Sequence, residues 1–220
     1  MSYLLPLYAH PAVDPEAWRL AARAGDRVRG VVLNAADGPG GRLDPAFASA
    51  AADLRAAGVP VLGYVDLDYG ARPAPEVAAD LGRHREWFGV DGWFFDRAPA
   101  ERAGLAACRR TVRSARRTGA RTVVLNPGVH PSPGYARIAD LVVTFEGHWT
   151  TYVAGFHRPR WTEHHPPERF CHLVYGVPRA LSGVAARTAR ARGAAVSCAV
   201  GGELPNPWTA LPPELLEHAS

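Results

Sequence analysis

Two acidic residues each end a run of large apolar residues: Asp96 closes Gly92-Trp93-Phe94-Phe95, and Glu146 closes Leu141 to Phe145. A carboxylate placed beside aromatics costs desolvation free energy unless it is paired or put to use. Two carboxyl groups facing one hollow are the minimum equipment for glycoside cleavage: one protonates the leaving oxygen, and the other acts as nucleophile or activates water. Asn34 and Asn126 end two further apolar runs. Tyr8, Tyr64, Tyr69, Trp149, Tyr152 and Tyr175 fall at or just after ends of the same kind, where flat rings can stack on the apolar face of a sugar. We therefore read Asp96 and Glu146 as the catalytic pair, and Tyr8, Asn34, Tyr64, Asp66, Asn126, Trp149 and Tyr175 as substrate-contacting. The plainer alternatives are a strand-end cap or turn hydrogen bond for Asn34 and Asn126, and ordinary loop packing for the aromatic collar.

These residues need a scaffold that brings distant segments to one place. Short apolar runs of strand length recur at Leu4 to Tyr8, Val28 to Asn34, Val61 to Tyr64, Gly92 to Asp96, Thr122 to Asn126, Leu141 to Glu146, Phe170 to Tyr175 and Ala195 to Ala199. Between them lie segments of helical period over Asp14 to Ala24, Asp44 to Ala57, Pro75 to Phe88, Pro99 to Thr118, Pro133 to Ala139, Thr150 to Phe156 and Leu181 to Arg192. Asp44-Pro45 reads as an N-cap with a first-turn proline, and Gly25, Gly58, Gly119 and Gly193 sit where helices should stop. Eight repeats of strand and helix predict an α/β fold, a single (β/α)8 TIM barrel over residues 1–220, with a Pro-rich strap at 204–220; an open doubly wound sheet is the alternative. Strand alternation then aims Asn34, Asp96, Asn126 and Glu146 into the barrel mouth, with Thr144 and Val142 on the same face as Glu146 and with Val143 and Phe145 toward the helices.

Composition removes several other classes of function. The net charge is +4 and all 25 basic residues are arginine, an excess that follows the alanine-rich bias of the chain. The densest run, from Arg109 to Arg121, has helical spacing around Leu105, Cys108 and Val112, so it reads as a solvated helix face and not as a nucleic-acid surface. Cys108, Cys171 and Cys198 form no CxxC pair and read as small buried hydrophobes. No apolar stretch is long enough to span a bilayer, and no secretory leader pattern precedes Tyr3, so the chain as written is expected in the cytoplasm. His148, His157, His164 and His165 match no common ligand spacing, which leaves no metal expected. The glycines at 38, 40 and 41 lack phosphate-loop order, and Gly201-Gly202 is followed too soon by Pro205 and Pro207 to open a helix, so no cofactor is expected. A polysaccharide or oligosaccharide is the expected partner, with no nucleic acid or membrane; the oligomeric state is left unassigned.

Several of these segments together carry a family resemblance. Leu4-Leu5-Pro6-Leu7-Tyr8, Val61-Leu62-Gly63-Tyr64-Val65 with Tyr69-Gly70-Ala71-Arg72, Gly89 to Asp96, Leu125-Asn126-Pro127-Gly128, Val143-Thr144-Phe145-Glu146-Gly147 and Leu204-Pro205-Asn206-Pro207 resemble, in order and over nearly the whole chain, the spherulation-specific family 4 (spherulin 4-like) proteins. The resemblance implies a (β/α)8 barrel and, from characterised relatives in glycoside hydrolase family 135, cleavage of a polysaccharide containing N-acetylgalactosamine. It also implies acidic residues in an aromatic-Asp-Glu motif at the fourth strand and in a Thr-Phe-Glu-Gly motif at the sixth. Asp96 and Glu146 match, whereas the Glu expected after the Asp is Arg97, and a Thr-Asp-Asp-like turn after strand eight is Val200-Gly201-Gly202. Loss of a general acid costs on the order of a hundredfold to ten-thousandfold in rate. Arg97 beside Asp96 is also expected to favour the ionised carboxylate. The alternative is thus a catalytically silent carbohydrate-binding barrel.

Overall fold

The computed structural model describes residues 2–216. Eight strands, β1 (Ser2–Pro6), β2 (Val28–Leu33), β3 (Val61–Asp66), β4 (Gly92–Asp96), β5 (Thr122–Leu125), β6 (Leu141–His148), β7 (Phe170–Tyr175) and β8 (Val196–Ala199), pair in parallel in chain order and close as β8 meets β1. The helices are α1 (Pro15–Arg23), α2 (Pro45–Ala56), α3 (Ala74–Phe88), α4 (Leu105–Arg117), α5 (Trp149–Gly155), α6 (Ser182–Ala191) and α7 (Pro213–Leu216). This is a (β/α)8 TIM barrel, and the open-sheet alternative falls with the β1–β8 pairing. Asp14 and Asp44 cap α1 and α2 through their carboxylates, each followed by proline at the first helical position. No helix among the described residues is long and apolar enough to cross a membrane.

Two crossovers depart from the expected pattern. The segment 133–139 forms only a 3-10 turn over Tyr135–Arg137, with Tyr135 and Ala136 buried. The fourth helix starts at Leu105, not Pro99, after a 3-10 turn over Arg102–Gly104. At the chain's end, α7 packs against both α1 and α6 and so takes the place of the eighth barrel helix, with Leu215 buried. The preceding segment of the strap, 204–208, runs instead over the mouth, where the Tyr8 N–H donates to the Trp208 carbonyl at 2.7 Å. Residues 217–220 of the expected strap lie outside the described residues.

Alternation predicts the facing of most strands. Tyr64 stacks on Phe94 inside the barrel at 6.2 Å, while Trp93 and Phe95 join Val77, Leu81, Cys108 and Val112 under α3 and α4. Strand β6 is the exception. Val143 pairs with Cys171 and Phe145 with His172, so Thr144 is an extra residue in a bulge. Below the bulge Leu141 and Val143 belong to the inner core and Val142 to the outer, the reverse of the expected facing. Above it Phe145 packs on Tyr152 at 4.6 Å and Glu146 lies level with inward Leu173, as expected. A bulge swaps the two faces of a strand, and here it re-aims the residues at the mouth. Close strand packing also fixes the glycine at 92, where a Cβ would come within 2.2 Å of the Thr122 carbonyl oxygen.

Candidate active site

Parallel barrels present the carboxyl ends of their strands at one face, which here gathers β3, β4, β5 and β6 around a single amide. The Asn126 Oδ1 accepts the Gly128 N–H at 3.0 Å, which fixes the amide so that its Nδ2 faces the acids. That nitrogen donates to Asp96 Oδ1 at 2.6 Å and to Glu146 Oε2 at 2.5 Å. The two bonded oxygens therefore lie no more than about 5 Å apart, the sum of two such bonds. Tyr64 Oη donates to the other Asp96 oxygen at 2.8 Å, and the Trp208 Nε1 donates to Glu146 Oε1 at 3.2 Å.

Burial separates the behaviour of the two acids. Desolvation, followed by the neighbouring Asp96 charge, pushes Glu146 up to about 7 against the opposing bonds from Asn126 and Trp208. Desolvation also raises Asp96, opposed by donors from Tyr64, the Arg97 backbone N–H and Asn126. Near neutral pH Glu146 thus holds a proton over part of the population, and Asp96 has the better-solvated anion. Tyr8, whose ring meets Tyr64 edge-on at 5.9 Å, is raised well above its ordinary value by burial and by the same two acids, so it stays a neutral phenol.

Glu146 stands between two lobes of open space. The larger, about 450 Å³, is walled by Tyr8, Asn34, Tyr64, Tyr175 and Trp208; the smaller, about 280 Å³, by Tyr69, Asp96, Arg97, Asn126 and Pro127. Of the residues expected to contact substrate, Tyr8, Asn34, Tyr64, Asn126 and Tyr175 line this groove. Asn34 also serves its own loop, because its Oδ1 accepts the Gly38 N–H at 2.9 Å. Asp66 does not offer a free carboxylate: Arg97 and the Asp68 N–H occupy both its oxygens and, against partial burial, hold it below the usual range. Trp149 opens α5 and packs on Tyr152, outside both lobes, since strand β6 runs on to His148 and carries the tryptophan past the mouth. Tyr152, also in the expected collar, is buried with its hydroxyl 2.7 Å from His172 Nδ1.

The expected influence of Arg97 on Asp96 is also corrected. Arg97 has φ 45°, and this left-handed turn sends its guanidinium to Asp66 and Asp68, so only its backbone N–H acts on Asp96. Trp208 was missed by the strand-by-strand reading because it lies on the strap; its one signal was its position directly after Leu204-Pro205-Asn206-Pro207. His148 caps α5 and approaches Glu203 at 3.4 Å; among the described residues no group of three potential metal ligands forms. Cys108, Cys171 and Cys198 are free and buried.

With this geometry in hand, comparison with known proteins gives a consistent picture. The model of a family described as spherulation-specific family 4 matches residues 2–214. Spherulin-4 of Physarum polycephalum is 31% identical over 146 residues, 65% of this chain and 44% of that protein, so the match spans less than half the relative's length. Among solved structures, Aspergillus clavatus Sph3 in complex with GalNAc superposes with a TM-score of 0.82 at 24% identity, covering 99% of this chain and 95% of that one. A chitinase from Rhizomucor miehei superposes at 0.60 with 10% identity over the full length of both chains. These two likenesses carry the fold.

Proposed function

The chain belongs to spherulation-specific family 4, and from that premise we propose that it is a glycoside hydrolase acting within an amino-sugar polysaccharide that contains N-acetylgalactosamine. The observation that carries the reading is the shared amide: Asn126 holds Asp96 and Glu146 across the groove while Glu146 is raised to about 7. Glu146, protonated in part of the population near neutral pH, is the general acid toward the glycosidic oxygen. Asp96, whose burial raises its pKa against the pull of three donors, is the opposing group, which in its ionised form stabilises positive charge developing on the sugar ring or bonds to it. A separation of no more than about 5 Å between the two bonded carboxyl oxygens leaves no room for a water between the acids and sugar, which favours retention of anomeric configuration. Open lobes on both sides of Glu146 suit a chain passing through, and hence internal cleavage. The GalNAc bound in the Sph3 crystal supports the choice of sugar.

A second reading is a carbohydrate-binding barrel without turnover. It is favoured by Arg97, which stands where the family pattern has a glutamate and whose guanidinium is committed to Asp66 and Asp68. Incubation with polymer containing N-acetylgalactosamine, followed by counting of reducing ends, separates the two. Hydrolysis by the wild type, lost at least a hundredfold in Asp96→Asn and Glu146→Gln, is expected. Equal background release from all three chains refutes the enzyme, and polymer retained by that inactive wild type establishes the binding barrel.

A further inference from the structure

Beside the acids, one wall of the smaller lobe is built with unusual backbone geometry. Arg97 (φ 45°), Asp68 (φ 45°) and Tyr69 (φ 52°) are three non-glycine residues in the left-handed region, a conformation that persists only where its surroundings enforce it and that gathers at ligand sites. The enforcement is visible. The Leu67 N–H donates to the Asp96 carbonyl at 2.9 Å and the Tyr69 N–H to the Arg97 carbonyl at 2.7 Å, so the β3 and β4 chains stay zipped beyond the barrel. Arg72 Nη1 donates to the Asp66 carbonyl at 3.1 Å from behind.

The side chains are held as firmly as the backbone. Arg97 grips Asp66 in fork geometry through Nε, at 2.8 Å, and Nη2, while its Nη1 lies 3.0 Å from Asp68 Oδ1. A guanidinium has five N–H groups, so the two hydrogen bonds to Asp66 and the ion-pair contact with Asp68 leave at least two free. Its carbon sits 5.6 Å from the centre of the Tyr69 ring, and that residue is 65% exposed. Both side chains line the lobe that contains Asp96, Asn126 and Glu146. A fixed fork with spare donors beside an open aromatic face is equipped to bind the oxygens and the flat face of a sugar. The charge balance narrows the ligand further. Asp66 and Asp68 already neutralise the Arg97 guanidinium, which leaves it little attraction for an anionic group such as a uronate, and its donor N–H groups disfavour an ammonium.

We propose that Arg97 and Tyr69 form a subsite for a neutral sugar residue of the bound polymer, with the two spare Arg97 N–H groups donating to acetamido or hydroxyl oxygens and Tyr69 stacking on the ring. The proposal rests on the glycan reading of the groove, and it gives the residue that breaks the family's Asp-Glu pattern a binding role. The test is calorimetric titration of an N-acetylgalactosamine hexasaccharide into the full chain and four variants. Arg97→Lys keeps the charge facing Asp66 but loses the fork, and Tyr69→Ala removes the ring without touching the ion pairs; each is expected to weaken binding about tenfold with the melting temperature held near wild type. Tyr69→Phe, which keeps the ring, is expected to bind within about twofold of wild type. Tyr175→Ala, in the other lobe, reports on the groove itself. Wild-type affinity in both Arg97→Lys and Tyr69→Ala, with a loss in Tyr175→Ala, overturns the subsite and leaves the glycan reading standing. No binding by the wild type overturns both.

Discussion

Glu146→Gln tests whether the barrel mouth stores free energy in a buried acid. The glutamate's ordinary pKa is 4.5 and in the fold it is about 7. Below pH 4.5 the group is protonated in both folded and unfolded chains and the two states bind equal numbers of protons. Between 4.5 and 7 the unfolded chain releases its proton while the fold keeps it, so stability falls as the pH rises; above 7 both are ionised and the loss is complete. At about 1.4 kcal/mol for each tenfold change in acid constant, the raised value corresponds to roughly 3 kcal/mol lost between pH 4 and pH 8. Glutamine is neutral throughout and carries no such loss. The variant should therefore gain up to roughly 3 kcal/mol on wild type between pH 4 and pH 8, or about 6 to 12 °C in melting temperature for a chain of this size. Any fixed cost of mismatched amide donors beside Asn126 and Trp208 is the same at each pH and drops out of the comparison. Denaturant melts of both chains across that range give the difference directly, with no need for substrate. A wild-type-minus-variant difference that stays level from pH 4 to pH 8 would mean that Glu146 titrates like an exposed acid and would refute the reasoning on which its proposed role as proton donor rests.

Trp208→Phe keeps the ring but removes the N–H that donates to Glu146 at 3.2 Å. Hydrogen bonds to charged groups contribute roughly 1.5 to 3 kcal/mol, and at this length the low end applies, so the Glu146 acid constant should fall about tenfold; carboxyl carbon NMR, assigned by difference from Glu146→Gln, reads it, and an unmoved titration would exclude the bond. If the wild type hydrolyses polymer, the alkaline limb of its rate profile should move to higher pH in the same variant. Gly92→Ala should cost about 3 kcal/mol or more, because the new Cβ would meet the backbone oxygen of Thr122 at 2.2 Å and neither strand can withdraw from a closed barrel. Equilibrium unfolding measures this, and a cost under about 1 kcal/mol would mean that β4 and β5 have slack.

The barrel's elements were legible because strand and helix periodicity are local properties, repeated eight times, and a parallel sheet covered on both faces satisfies them; closure over an open doubly wound sheet was decided by the β1–β8 pairing. Asp96, Asn126 and Tyr64 were legible by the same rule, since alternation in a regular strand fixes the face that the last residue takes. Glu146 reached the mouth as expected, although the bulge at Thr144 inverted the residues beneath it; an extra residue depends on the neighbouring strand, whose register no local pattern contains. Trp149 lies outside the two lobes for a related reason: β6 continues two residues past Glu146, and the tryptophan ring packs near Tyr152.

What the sequence alone determined is the inventory: eight strands, an acid ending the fourth and another ending the sixth, and the family pattern with its Arg97 exception. What only the tertiary structure decided is the partner of each polar group. Asp66 went to Arg97, Asn126 to both acids at once, and Trp208 from the strap to Glu146. The physical reason is that facing and period follow from backbone geometry a few residues long, whereas protonation depends on burial and on donors brought from segments 20 to 62 residues away.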